Sequence, residues 1–436
     1  MSDKLFHNNN DKFDVSALVD ELLKHATYIN EAATDTLYKY NGSCFVRVHD
    51  RAIQQKMMQL CATGTTRHQR EEVIDLLKTK TSLDFKFISN HNNCLNIKNG
   101  IFDVGKMKIF PRTRGDHPFY VIDLEYEPKA LCPKWDSFLI QIFEGDRTLV
   151  EILQNMFGYC LLTGNFLQVC FIFAGTGQNG KSVTLDVLRA LLGGDNISSL
   201  SMTDISEKFR LVEMRYKLAN ICDESPSKKQ IDMDIFKNLV SGGMVTAEEK
   251  QKKPVQFKNT AKMIFSCNTT PLMSDSTFAF QRRLTIIPFS YLVKKEEKDP
   301  FLTEKLIEEL PGIFNWALVG ACRILTSKSW DDLFYSEKGE AAKEDFIRDN
   351  DSVKAFIDEY CDVKDPKAEV NCSLIYKVYR NYTENNGYTP CSSGQFGKRL
   401  KNYFPHITRV RKTTGDRDYY YVGIGLIGGS FSSLTT

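Results

Sequence analysis

The sequence predicts an α/β protein: a phosphate-loop core on a parallel sheet, an α+β region before it, and a winged-helix-like unit after it. Three observations predict this. From Val169 to about Phe289, short apolar runs alternate with helix-period segments, the pattern of strands joined by crossover helices. The glycine-rich turn Gly175-Thr176-Gly177-Gln178-Asn179-Gly180-Lys181-Ser182 lies between the apolar run Val169–Ala174 and a helical pattern that ends at Leu192. The last part of the chain reads as helix, helix and basic hairpin.

The N-terminal region carries mixed signals. Val15–Ala26 has helical apolar spacing, and Thr36–Val48 reads as a hairpin around Asn41-Gly42. Arg67–Lys80 reads as a helix, and Leu95–Ile109 is strand-like with turns at Asn99-Gly100 and Val104-Gly105. A helical stretch begins at Pro133 and continues through Leu149–Leu162. Lys294–Pro300 is a charged linker, read as a solvated loop, and Phe301–Leu325 is helical. The expected units are 1–130 (α+β), 131–165 (helical connector), 166–295 (nucleotide core), 296–348 (helical segment), 349–425 (winged-helix-like) and 426–436 (flexible tail).

Composition narrows the class. The chain has 436 residues, 42% hydrophobic and 26% charged, which excludes wholesale disorder. Net charge is only +2, so a nucleic-acid partner must be held by local basic patches. There are 12 cysteines and no CxxC pair; Cys160 and Cys170, or Cys361 and Cys372, lack metal-ligand spacing. They read as reduced thiols, and a cytoplasmic setting follows. The first residues lack a basic-then-apolar signal, and polar residues interrupt the apolar stretch Ile152–Ala174, so no membrane partner is expected.

The glycine-rich turn is the sharpest motif. Its glycines let backbone N–H groups wrap a phosphate chain, and the helix behind adds its positive end. Gly175, Thr176, Gly177, Gln178, Asn179, Gly180, Lys181, Ser182 and Val183 therefore form the candidate ATP site. Lys181 supplies charge to the β- and γ-phosphates, and the Ser182 hydroxyl is a Mg²⁺ ligand. The run Lys217–Cys222 ends in Asp223-Glu224: Asp223 as the second metal anchor, Glu224 as general base for water. Asn268, after the run Ala261–Cys267, either bonds the γ-phosphate or lytic water or is a turn residue before Pro271. Arg282 and Arg283 precede the run Leu284–Phe289, as charge donors to a neighbouring subunit's nucleotide or as a solvated edge.

These pieces, in this order between residues 175 and 283, resemble superfamily III (AAA+) helicases. Within them the chain is similar to the phage, plasmid and poxvirus-type primase-helicase family. Gly175–Ser182 matches motif A, Asp223-Glu224 motif B, Asn268 motif C, and Arg282-Arg283 the arginine segment. Asn99–Asp103 with Cys132-Pro133, and Glu309–Ala317, match stretches flanking the ATPase in that family. The resemblance implies a homo-oligomeric ring, usually a hexamer, with ATP between subunits. It implies translocation on single-stranded DNA, usually 3′ to 5′, forked duplex as substrate, and work inside the host cell or at a viral replication site. Arg283 is assigned the trans role because it directly precedes a strand, with Arg282 as the alternative. The hairpin Ser241–Phe257, with Lys250, Lys252 and Lys253 at its tip, matches the family's channel hairpin. No primase unit is recognisable ahead of residue 90, so a separate primase or polymerase is an expected partner.

In the C-terminal unit, Val370–Asn385 and Ser392–Tyr403 read as helices, Ser393 as a cap, and Thr408–Val422 as a hairpin turning at Gly415. Lys398, Arg399, Arg409, Arg411 and Lys412 are its candidate DNA contacts, and Tyr419–Tyr421 serve either stacking or packing. Two alternatives stand beside a helicase. One is an ATP-controlled replication initiator without processive unwinding. The other is a kinase or GTPase, disfavoured because Asn268-Thr269-Thr270-Pro271 is not a guanine-reading motif.

Overall fold

A computed structural model describes residues 6, 13–32, 34–61, 64–83, 93–112, 119–223, 231–248, 254–268, 278–329, 331–388, 390–412 and 418–427. Five strands form the central sheet: Cys170–Ala174, Ile197–Ser198, Ala219–Cys222, Lys262–Cys267 and Leu284–Pro288. All neighbours are parallel. Across the sheet the order is Leu284–Pro288, Cys170–Ala174, Lys262–Cys267, Ala219–Cys222, Ile197–Ser198. The strands Ala219–Cys222 and Lys262–Cys267 are buried at every position, as expected for a sheet covered on both faces.

The sheet separates two apolar cores. One face, through Phe171, Phe173, Ile221 and Ile264, packs on helices Pro133–Ile142, Arg147–Leu161, Lys181–Leu192 and Leu310–Thr326. The other face, through Cys170, Ile172, Met263 and Phe265, meets helix Met233–Val240 and the hairpin Met244–Ala247/Val255–Lys258. Helices Arg147–Leu161 and Leu310–Thr326 touch backbone to backbone. A Cβ on Gly158 would lie 2.2 Å from the Ala321 nitrogen, and one on Gly320 would lie 2.2 Å from the Gln154 carbonyl.

The stretch from Pro133 to Leu162 is two helices, where the sequence spacing suggests one. Glu144 and Gly145 adopt positive φ (53° and 79°), and Asp146 caps the second helix by accepting from Thr148 and Leu149 amides. The break coincides with five consecutive non-apolar residues, Glu144 to Thr148, which interrupt the apolar spacing on either side.

Ahead of this body, helices Val15–His25, Asp50–Leu60 and Arg67–Lys80 build a core of their own with strands Tyr28–Glu31 and Thr36–Tyr40. The three-stranded sheet Cys94–Ile97, Gly100–Asp103, Lys108–Phe110 instead sends Leu95, Ile97 and Phe102 into the main core. The N-terminal unit also joins the central-sheet body through Glu31, which accepts from Tyr216 Oη at 2.9 Å and pairs with Arg215. Around them Phe119 stacks on Tyr216 (4.4 Å) and Tyr38 packs edge-on to Phe119 (5.1 Å).

After the sheet, helix Glu337–Asn350 packs along strand Leu284–Pro288. It leads into a C-terminal unit of helices Ser352–Tyr360, Cys372–Asn385 and Ser393–Tyr403. Their partner is an antiparallel sheet ordered Glu369–Asn371, Tyr419–Val422, Thr408–Arg411. Two local readings are corrected here. Val370 belongs to a strand, and the helix starts at Cys372. The cap of the last helix is Ser392 rather than Ser393: Ser392 and Gln395 exchange hydrogen bonds as a capping box. Among the described residues no helix is long and apolar enough to cross a membrane.

Candidate nucleotide site and nucleic-acid surfaces

Five parallel strands end at one edge, and the loops leaving that edge carry the candidate residues. Strand Cys170–Ala174 turns into Gly175–Gly180, and helix Lys181–Leu192 begins at once. Gly177 (φ 108°) and Gly180 (φ 88°) take left-handed backbone, and Gln178 does so at φ 52°. Gly175 is a close approach: a Cβ there would lie 2.5 Å from the Phe289 carbonyl and 2.2 Å from Asn179 Nδ2. Asn179 is buried and donates to that carbonyl at 2.8 Å, pinning the loop to the chain after strand Leu284–Pro288. Gly180 rests on Ile142 and Phe138, so helix Pro133–Ile142 backs the loop.

Lys181 is buried, and its Nζ donates to the Gly175 carbonyl at 2.6 Å and to Asn179 Oδ1 at 3.0 Å. Burial holds its pKa below the ordinary lysine value. Burial likewise pushes the neighbouring Cys267 thiol up to about 12, so it stays neutral beside the amine. Thr176 and Ser182 are exposed and Val183 is half-buried.

Asp223 leaves the end of strand Ala219–Cys222, with Lys262–Cys267 between it and the loop strand. Two strand spacings put about 10 Å of sheet between them. Its carboxylate is exposed and accepts from Arg189 Nη2 at 2.8 Å. Glu224 lies outside the described residues. Asn268 is exposed at the end of the intervening strand. Thus Lys181, Ser182, Asp223 and Asn268 share one edge. Arg283 is half-buried and donates through Nε and Nη2 to Ser241 Oγ (3.2 and 3.1 Å), whereas Arg282 is exposed and reaches Gln168 Oε1 at 3.5 Å.

Sequence spacing missed several partners. Arg189 has no motif signature, because its acid lies on another strand. The charged linker is exposed as expected, yet Lys298 Nζ donates to Gln178 Oε1 at 2.8 Å, so it borders the loop. Gln281, beside the arginines, donates to Tyr403 Oη at 3.3 Å.

The candidate nucleic-acid residues divide. Lys250, Lys252 and Lys253 lie outside the described residues, although their flanks pair from Met244↔Lys258 to Ala247↔Val255. In the C-terminal unit Lys398, Arg409 and Arg411 are exposed. Arg399 instead turns inward to Asp351 (3.3 Å), which also accepts from Tyr403 at 2.7 Å. Lys412 pairs with Glu369. Arg409 lies over the exposed Tyr419 ring at 4.1 Å, while Tyr421 is buried, so the tyrosines split between surface and packing. A cavity of about 810 Å³ between Lys398, Lys401, Arg409 and Ser373 opens on this face.

Three regions of the chain match family models. Residues 8–144 match a D5 N terminal like model, residues 173–283 a family of unknown function (DUF5906), and residues 351–428 the RFX DNA-binding domain. The chain is similar to the helicase-named protein L207/L206 of Acanthamoeba polyphaga mimivirus: 23% identical over 366 residues, covering 77% of this chain and 37% of the relative. It is also similar to the helicase-named protein 121R of Invertebrate iridescent virus 3: 22% identical over 236 residues, covering 50% of this chain and 25% of the relative. The chain therefore spans well under half the length of these relatives. Among solved structures, the C-terminal region of NrS-1 matches with TM-score 0.54 at 14% identity, covering 95% of this chain and all of that chain, and shares its fold. The D5-like region and the viral relatives support a primase-helicase-like family for the chain.

Proposed function

We propose that the chain is an ATP-dependent DNA helicase of the superfamily III (AAA+) type, acting in viral, phage or plasmid replication. One observation carries the reading: a phosphate-loop strand flanked in a parallel sheet by the strand of Asn268, with Asp223 beyond it at the same edge. That edge fits Mg²⁺–ATP. Gly177 has open space where a side chain would begin, which leaves bare backbone on the loop, and the Ser182 hydroxyl and Asp223 carboxylate are both exposed at that edge. When bound, the metal offsets phosphate charge. The protein's part is to seat the phosphates on the loop, hold charge with Lys181, and orient water through Glu224 and Asn268.

On this reading the chain forms a ring, an arginine at 282 or 283 serves the neighbouring subunit, and the hairpin at Lys250, Lys252 and Lys253 grips single-stranded DNA. Exposed Arg282 is free of the Ser241 contact that holds Arg283, so mixed rings of each arginine variant decide between them. The winged-helix-like unit adds duplex contact through Lys398, Arg409 and Arg411. Lys181→Ala should abolish DNA-stimulated ATP hydrolysis and strand separation together; unwinding that survives it rejects the motor.

The match of residues 351–428 to an RFX DNA-binding model favours one second reading, an ATP-controlled initiator. It requires sequence-specific DNA binding that survives Glu224→Gln and no strand separation by the intact protein.

A further inference from the structure

We propose that the segment Tyr291–Lys298 forms the nucleoside end of the ATP site, with Leu292 covering the face of the base. The inference rests on reading Gly175–Val183 as a triphosphate loop and deepens it.

The sheet order gives the site a direction. Asn268 and Asp223 lie on one side of strand Cys170–Ala174, so the terminal phosphates and metal must point that way. The nucleoside then leaves on the opposite side, where the neighbour is strand Leu284–Pro288. The chain emerging from that strand is tied once to the strand before the loop and three times to the loop itself. Phe289 N–H donates to the Ala174 carbonyl at 2.7 Å, and the Phe289 carbonyl accepts from Asn179 at 2.8 Å. Val293 N–H donates to the Gln178 carbonyl at 3.0 Å, and Lys298 Nζ to Gln178 Oε1 at 2.8 Å.

Leu292 sits between these ties, and it is 61% exposed. A single exposed leucine is ordinary on a protein surface. Here Phe289 before it and Val293 after it are hydrogen-bonded to the phosphate loop, so its position relative to a bound triphosphate is set before binding. Tyr291 flanks it, its hydroxyl donating to Glu297 at 2.6 Å and accepting from Gln141 at 3.4 Å. A base is flat and largely apolar on its faces, so it gains from such a cover, while its phosphates need only the loop.

The test separates the two ends of the ligand. Competition with Mg²⁺–tripolyphosphate, which has the phosphates and no nucleoside, is measured beside Mg²⁺–ATP binding for the full chain and for Leu292→Asp and Leu292→Met. Leu292→Asp should weaken ATP by about tenfold, the scale of one lost apolar contact, and leave tripolyphosphate unchanged; Leu292→Met should retain ATP affinity. Equal losses for both ligands, or no loss for either, would overturn the proposal. Unmutated protein that binds tripolyphosphate as tightly as ATP would overturn it too while leaving the phosphate loop intact. Unmutated protein that binds neither ligand would remove the fuel site itself, and this inference with it.

Discussion

Arg189 Nη2 donates to Asp223 Oδ1 across 2.8 Å, joining the helix after the phosphate loop to the acid two strands away. The same guanidinium bonds Asp186 through Nη1 at 2.8 Å, so Arg189 stands between two carboxylates. The Asp223 side chain is about half exposed, and such a pair contributes about 1 kcal/mol or less. Its consequence is local: a cation occupies the carboxylate assigned to the metal. Arg189→Ala should lower the Mg²⁺ concentration for half-maximal ATP hydrolysis by about two- to fivefold with little loss of thermal stability. A higher Mg²⁺ requirement would mean that Arg189 aims the carboxylate instead of competing for it.

Gly175→Ala is expected to disable the loop. The added methyl would overlap the Phe289 carbonyl and Asn179, which are hydrogen-bonded to each other. The cost should be about 1–3 kcal/mol of stability, with nucleotide affinity lost as Asn179 is displaced. Chemical denaturation and nucleotide titration check the two parts. Wild-type affinity in this variant would show that the close approach is unimportant.

Lys262 gives a pH signature. It is fully buried, donates to the Leu162 carbonyl and lies 5.1 Å from the Tyr159 ring. Burial lowers its pKa from 10.5 to about 8. Above the unfolded value it is neutral in both states; below about 8 it is charged in both, and the folded state bears the desolvation. Between these limits the unfolded chain binds more protons, so stability rises with pH. The urea midpoint of the wild type should therefore gain on that of Lys262→Met as pH rises from about 8 to about 10. A constant difference would show that the amine titrates normally.

Asp351 is fully buried at the junction of helices Glu337–Asn350 and Ser352–Tyr360. It caps the second helix and accepts from Arg399 and Tyr403, whose hydroxyl also accepts from Gln281 beside the arginine pair. Asp351→Ala should cost about 2–4 kcal/mol and loosen the C-terminal unit, because it removes a helix cap and strips the half-buried Arg399 and Tyr403 of their acceptor. Tyr403→Phe should cost about 1 kcal/mol and reduce DNA stimulation of hydrolysis while basal turnover persists. Proteolysis and ATPase assays with and without DNA measure both; stimulation unchanged in Tyr403→Phe would exclude this contact as a coupling point.

What could be read in advance was what is local in the chain. The loop Gly175–Ser182, the strand alternation and the helix Arg67–Lys80 depend on residues a few positions apart, and spacing reports them. The Arg189–Asp223, Lys298–Gln178 and Gln281–Tyr403 contacts join residues brought together only by strand order, so no window of sequence contains them. The break at Glu144-Gly145 is of another kind: Glu144-Gly145-Asp146-Arg147-Thr148 interrupts the apolar spacing, so a glycine and a capping aspartate mark the turn within one window of sequence.

The paired glycines Gly158 and Gly320 have a consequence for how the protein is made. Helix Arg147–Leu161 leaves the ribosome long before Leu310–Thr326 exists, yet the flank that carries Gly158 is covered by that later helix. The nascent nucleotide module must therefore wait, with one flank bare, until translation has passed Thr326. Growing chains halted before that point should be held by chaperones, and those halted after it should resist protease.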